Sequence, residues 1–215
     1  MFIGHYGVGL AAKKPAPAIS LGTFILAAQW LDLIWPIFLL LNIEHVTIHP
    51  GNTSTTPLDF DYYPFSHSLI FVLGWSLVLG VVYYLIKKNK RNAIIVGLLV
   101  LSHWVLDLIV HRPDLPIMPN GPDVGFGLWN SVIATIIVEG GIFITGSVIY
   151  LKRTKAKDII GKISLCSLLI FLLLVYILNL FGPPPMDTTA IKFAGLSTWI
   201  FVLWGYWIDR HRVVV

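Results

Sequence analysis

Six long apolar runs organise this chain. They cover residues 18–42, 64–86, 92–111, 126–151, 159–181 and 190–209. Each meets or exceeds the roughly 20 residues an α-helix needs to cross a ~30 Å hydrocarbon core. None shows the alternation of a barrel strand. Helices also pair their own backbone groups, as lipid demands. Polar punctuation separates the runs. Gly51-Asn52 with Pro57 marks a long loop before the second run. Pro113, Pro116, Pro119 and Pro122 mark the loop after the third, and Gly182-Pro183-Pro184-Pro185 divides the fifth from the sixth. The pattern predicts an all-α integral membrane protein, a six-transmembrane-helix bundle forming a single domain over residues 1–215.

Composition agrees. Hydrophobic residues make up 56% of the 215 and charged residues only 12%, against about 25% charged in soluble domains. Mean hydropathy is +0.80. The isoelectric point near 9.2 therefore reads as membrane orientation rather than nucleic-acid binding. Lys13 and Lys14 precede the first run. Lys87, Lys88, Lys90 and Arg91 lie between the second and third, and five basic residues from Lys152 to Lys162 lie between the fourth and fifth. Arg210 and Arg212 follow the sixth. Thirteen of the fifteen Lys and Arg thus fall on one side, with Arg112 and Lys192 on the other. By the positive-inside rule that side is cytoplasmic. The expectation is a multi-pass protein of the inner (plasma) membrane with cytoplasmic N- and C-termini. The start of the chain lacks the pattern of a cleavable signal, since its lysines follow the first apolar residues. Cys166 stands alone, which excludes an intrachain disulfide and a Cys-rich metal site.

Chemistry enters with the ionisable residues inside the runs, which are costly in lipid and face the protein interior or a wet cavity. His103 and Asp107 stand four apart, on one helix face, and His111 continues that row. An imidazole and a carboxylate so placed suit one divalent metal, or form a self-satisfied pair. Counted from the basic edges at ~1.5 Å per residue, Asp32, His103, Asp107 and Glu139 lie ~18–24 Å deep, and His67 ~30 Å deep. They therefore share a layer in the middle to outer half of the membrane. His5 lies ~12 Å from the basic edge if residues 2–12 form a short re-entrant or interfacial helix. Ser66 is a candidate cap for the helix carrying His67. His45, His49, Asp59, Asp61 and Glu44 fall in outer loops. The tryptophans suit interfacial belts.

The ordered set Gly4-His5, Ala27 to Asp32, Ser66-His67-Ser68 and Ser102-His103 with Asp107 resembles a family of membrane-bound hydrolases. These are the LexA-binding, inner-membrane-associated, metal-dependent hydrolases of the YdjM-like group. The resemblance covers residues 1–115; the helices of 126–209 carry no part of it. The sequence departs from the family pattern in having one carboxylate, Asp32 followed by Leu33, where the family often has two. It also has Tyr62, Tyr63 and Pro64 where a basic residue often precedes the Ser-His-Ser element. LexA binding does not carry over.

The resemblance implies a metal site built from His5, Asp32, His67, His103 and Asp107. Independently of it, such nitrogen and oxygen donors suit Zn²⁺, with Mn²⁺ or Fe²⁺ as alternatives. Asp107 and Glu139 are the candidate catalytic carboxylates. The expected activity is hydrolysis of a lipid or another membrane-associated ester or phosphoester, with membrane lipid as solvent and substrate and no protein partner indicated. Two other classes stay open. One is an ion- or proton-coupled transporter using the same intramembrane residues, against which no matched pair of interrupted runs is visible. The other is a membrane scaffold whose polar cluster only locks helix packing.

Overall fold

The computed structural model describes residues 1–215. Short helix α1 (Ile3–Ala11) leads into α2 (Leu21–Ala28) and α3 (Trp30–Leu40). A hairpin of β1 (His45–Ile48) and β2 (Leu58–Tyr62) follows, then the single turn α4 (Pro64–His67) and the long helices α5 (Leu69–Lys87) and α6 (Lys90–Val110). The next loop carries the small ribbon β3 (Leu115–Pro116) and β4 (Asp123–Val124) and a 3-10 turn at Leu128–Asn130. Helix α7 (Val132–Arg153), strand β5 (Thr154–Ala156), α8 (Ile159–Phe181), α9 (Thr188–Ser197), α10 (Trp199–Arg210) and β6 (Arg212–Val214) complete the chain. Three two-stranded antiparallel ribbons, β1–β2, β3–β4 and β5–β6, are the only sheet.

Five helices are long and apolar enough to cross a membrane, α9 and α10 counting together as Thr188–Arg210. The bent pair α2 and α3 is long and apolar enough when taken together, which gives up to six if the pair is one span. The boundaries have local causes. Ser20, Ser68, Asn89, Ser131, Asp158 and Asp187 each accept a backbone N–H from the first turn of the helix that follows, which satisfies an otherwise orphaned donor. The first apolar run is divided in two: its halves meet at Gln29 with a bend of 57°. The second run begins with α4 as a separate turn, and Ser68, not Ser66, caps α5. The fourth run becomes α-helical only at Val132, because the 3-10 turn occupies its start.

The expected short N-terminal helix is present as α1. It lies inside the bundle, packed against α7, α2 and α6, with seven of its nine residues buried. Glycines permit this. A methyl group at Gly7 would meet the α7 backbone at Ile142 and Phe143, and one at Gly146 would overlap the Gly7 carbonyl. Such small-residue crossings are how helices in lipid approach closely. Helix α5 packs on α6 and leaves most of its surface exposed.

The basic segments gather at one end. Arg91 donates to the Pro15 carbonyl at 3.1 Å, Lys13 stands 3.8 Å from Asp209, and Lys157 donates to the Arg210 carbonyl. At the other end Arg112 pairs with Asp59, and Thr55 donates to the Trp129 carbonyl.

Candidate metal centre

The centre starts from one carbonyl, that of Ala28, the last residue of α2, just before the break at Gln29. His103, on the buried face of α6 with Val96, Leu99, Val100 and Asp107, takes it: its Nδ1 lies 2.7 Å from the Ala28 oxygen. A carbonyl only accepts, so Nδ1 carries a proton, and in the neutral ring Nε2 presents its lone pair. That Nε2 is buried and makes no hydrogen bond of acceptable geometry. It faces Asp107 Oδ2 at 3.1 Å and Asp32 Oδ1 at 3.6 Å. Asp32 comes from the first turn of α3, just past the break.

His67 reaches the same place from α4. Its Nε2 lies 3.5 Å from Asp32 Oδ1 and 4.0 Å from Asp107 Oδ2. Its Nδ1 lies 2.7 Å from Ser66 Oγ, which donates to Glu44 Oε2 at 2.6 Å. Glu44 Oε1 accepts the Ser66 backbone N–H at 2.7 Å. With the hydroxyl proton committed to the carboxylate, His67 Nδ1 is the donor to Ser66 and Nε2 the open atom. Two histidines are therefore set in the same tautomer by partners outside the centre, the arrangement that orients imidazoles toward metals. Burial pushes the Glu44 carboxyl up, and the hydrogen bonds from Ser66 oppose that.

His5 arrives from α1. Its Nε2 lies 3.1 Å from Asp107 Oδ1, and its ring stacks on that of His103. The Met1 nitrogen lies on the same Asp107 oxygen at 2.5 Å. His5, His103 and Asp107 form one group whose ligand atoms all lie within 4.8 Å of one another, and Asp32, His67 and His103 form another. All five residues expected as metal ligands thus converge. These buried His and Asp groups are able to hold a metal ion.

Glu139 is placed differently. It is buried on α7 and accepts the Phe2 backbone N–H at 2.8 Å. It lines the same cavity as Asp32, His67 and Asp107, but belongs to neither ligand group. That cavity has a volume of about 640 Å³. It runs from the centre past Trp35 and Trp129 to the hairpin loop around Pro57, the α8 end at Tyr176 and Leu180, and α9 at Ile191 and Ala194.

Several expectations need correction. His111 does not continue the ligand row, because α6 ends at Val110 and His111 turns out as its cap. It meets Asp114 at 2.8 Å and packs against Trp129 and Phe60. Burial pushes His111 down against the pull of Asp114. Ser66 orients His67 rather than capping a helix. Glu44, expected in a solvated loop, is buried with only 1% of its surface exposed, and its role had no signal in the sequence beyond a charge just after an apolar run. His45 and His49 are exposed, as expected, with His49 against Asp59 at 3.2 Å. Trp35 and Trp104 are buried. No family model, no curated protein and no solved structure matches this chain.

Proposed function

We propose that the protein is a six-span inner-membrane hydrolase, with cytoplasmic termini, that uses a divalent metal to cleave a lipid or another membrane-associated ester or phosphoester. The observation that carries this reading is the Nε2 atom of His103. It is a buried nitrogen with no hydrogen bond of acceptable geometry, set between two carboxylates, with the other ring nitrogen held from behind. An unpaired buried polar atom costs free energy, and a cation among Asp32, His67, His103 and Asp107 would remove that cost. Nitrogen and oxygen donors suit Zn²⁺ first, then Mn²⁺ or Fe²⁺. Such an ion supplies Lewis acidity and lowers the pKa of water.

The chain's own groups supply the rest. Asp32, His67, His103, Asp107 and His5 hold and orient the ion. Glu139, on the cavity wall, takes or gives the proton. The mixed wall of the cavity, with Trp35, Leu180 and Ile191 beside Asp32 and Asn179, suits an amphiphile whose polar ester reaches the centre. The gathering of the basic segments at the opposite end supports cytoplasmic termini and a centre in the outer half of the membrane. The ordered motifs agree with the resemblance to the YdjM-like hydrolases.

Elemental analysis of detergent-purified protein tests the reading. The wild type is expected to hold near-stoichiometric Zn, Mn or Fe, lost from a still-folded His103→Ala/Asp107→Ala variant. A folded wild type without metal, even after reconstitution, overturns it.

A second reading is ion- or proton-coupled transport. The bend at Gln29 favours it, because broken helices build ion sites in carriers. Proton or metal flux into proteoliposomes, abolished by Asp107→Asn, distinguishes it from hydrolysis.

A further inference from the structure

We infer that the centre holds two divalent ions bridged by Asp107. The inference rests on the metal-centre reading above and fixes the number of ions. It begins with the stacking of His5 on His103, whose ring centroids are 3.6 Å apart and whose planes differ by 8°. An imidazole lone pair lies in the plane of its ring, and metal–nitrogen bonds of about 2.0–2.1 Å form along it. Two parallel rings in face-to-face contact hold their lone pairs in parallel planes. An ion in the plane of one ring lies well outside the plane of the other. The two Nε2 atoms therefore address two positions at least about one ring-to-ring spacing apart. Paired catalytic ions stand roughly 3.5–4 Å apart, which meets that bound.

Asp107 supports the division. Its Oδ1 lies 3.1 Å from His5 Nε2, and its Oδ2 lies 3.1 Å from His103 Nε2. Each oxygen serves one ring, as a carboxylate bridging two ions would. The first position is bounded by His103 Nε2, His67 Nε2, Asp32 Oδ1 and Asp107 Oδ2. Three of these, from Asp32, His67 and His103, lie within 4.8 Å of one another, and Asp107 stands beside them. The second is bounded by His5 Nε2 and Asp107 Oδ1, the oxygen with which the Met1 ammonium pairs and from which an ion would displace it. It has fewer protein donors. Asp107 and Glu139 both line the cavity, so the remaining coordination of the second ion falls to water or substrate. The order of occupancy follows from the donor count: the His103 position fills first and more tightly. His5 Nδ1 is also buried without a partner, so no contact from behind fixes the tautomer of His5, in contrast to His67 and His103.

Manganese loading of the full-length protein in detergent tests this, read by bound metal per chain and by low-temperature electron paramagnetic resonance. Two Mn²⁺ per chain with an exchange-coupled spectrum are expected for the wild type. His5→Ala is expected to bind one Mn²⁺ with an isolated six-line spectrum. Asp107→Asn is expected to lose the coupling. A wild type with one Mn²⁺ and an uncoupled spectrum overturns the two-ion inference and leaves the metal centre standing. Absence of Mn²⁺ and of any other metal from the folded wild type overturns both. Two coupled ions retained in His5→Ala also overturn the assignment of the second position. The wild-type measurement decides the number of ions even if a variant fails to fold.

Discussion

Glu44 shows how far a single side chain reaches. It touches no candidate ligand atom, yet it fixes the hydroxyl of Ser66 and through it the imidazole of His67. Glu44→Gln replaces one acceptor oxygen with an N–H₂ group, which faces either the Ser66 amide or its hydroxyl donor to donor. Metal affinity is expected to fall about 10–100-fold, the usual cost of losing an orienting partner, with the helical content unchanged. Equilibrium dialysis against zinc, paired with circular dichroism, checks this; unchanged affinity would remove Glu44 from the centre. At this scale the sequence was partly legible. Ionisable residues within apolar runs announced themselves, because lipid gives them no other reason to be there. Glu44 and Ser66 did not, because a charge in a loop is ordinary until the fold buries it. His111 misled for the opposite reason: helical spacing extends a row only as far as the helix does.

Elements were legible by their apolar length and obscure at their breaks. The run from 18 to 42 carries no glycine or proline at Gln29 to mark a bend; Pro36 lies a full turn and more into α3. Tertiary packing decides where that span breaks, which is why hydropathy reads it as continuous. The α1–α7 crossing is a second element-scale feature, and it rests on two glycines. Gly146→Ala is expected to lower stability by about 1–3 kcal/mol, since the added methyl group overlaps backbone instead of a movable side chain. Gly141→Ala in the same helix meets nothing within 4 Å and serves as the control. Thermal unfolding in detergent compares them. Equal melting temperatures would mean that α1 is not seated against α7 as described.

For the molecule as a whole, alternation of basic loops carried the arrangement. The structure brings those loops together at one end. The proposed topology is checked with single cysteines in a Cys166→Ser background. Met186→Cys, in the exposed loop before α9, is expected to react with an impermeant maleimide on intact spheroplasts. Lys155→Cys, in β5, is expected to react only after the membrane is opened. The reverse pattern would invert the protein and place the cavity on the cytoplasmic face.

The bend at Gln29 has a thermodynamic corollary. A carbonyl at a break in a helix is costly where water is excluded unless something claims it, and the imidazole that faces Asp32 and Asp107 also holds the carbonyl of Ala28. Helix shape and centre therefore share one equilibrium. Whatever binds His103 in its observed orientation favours the bent span, and by reciprocity whatever straightens the span weakens that binding by the same factor. Occupancy and curvature are two readings of one variable.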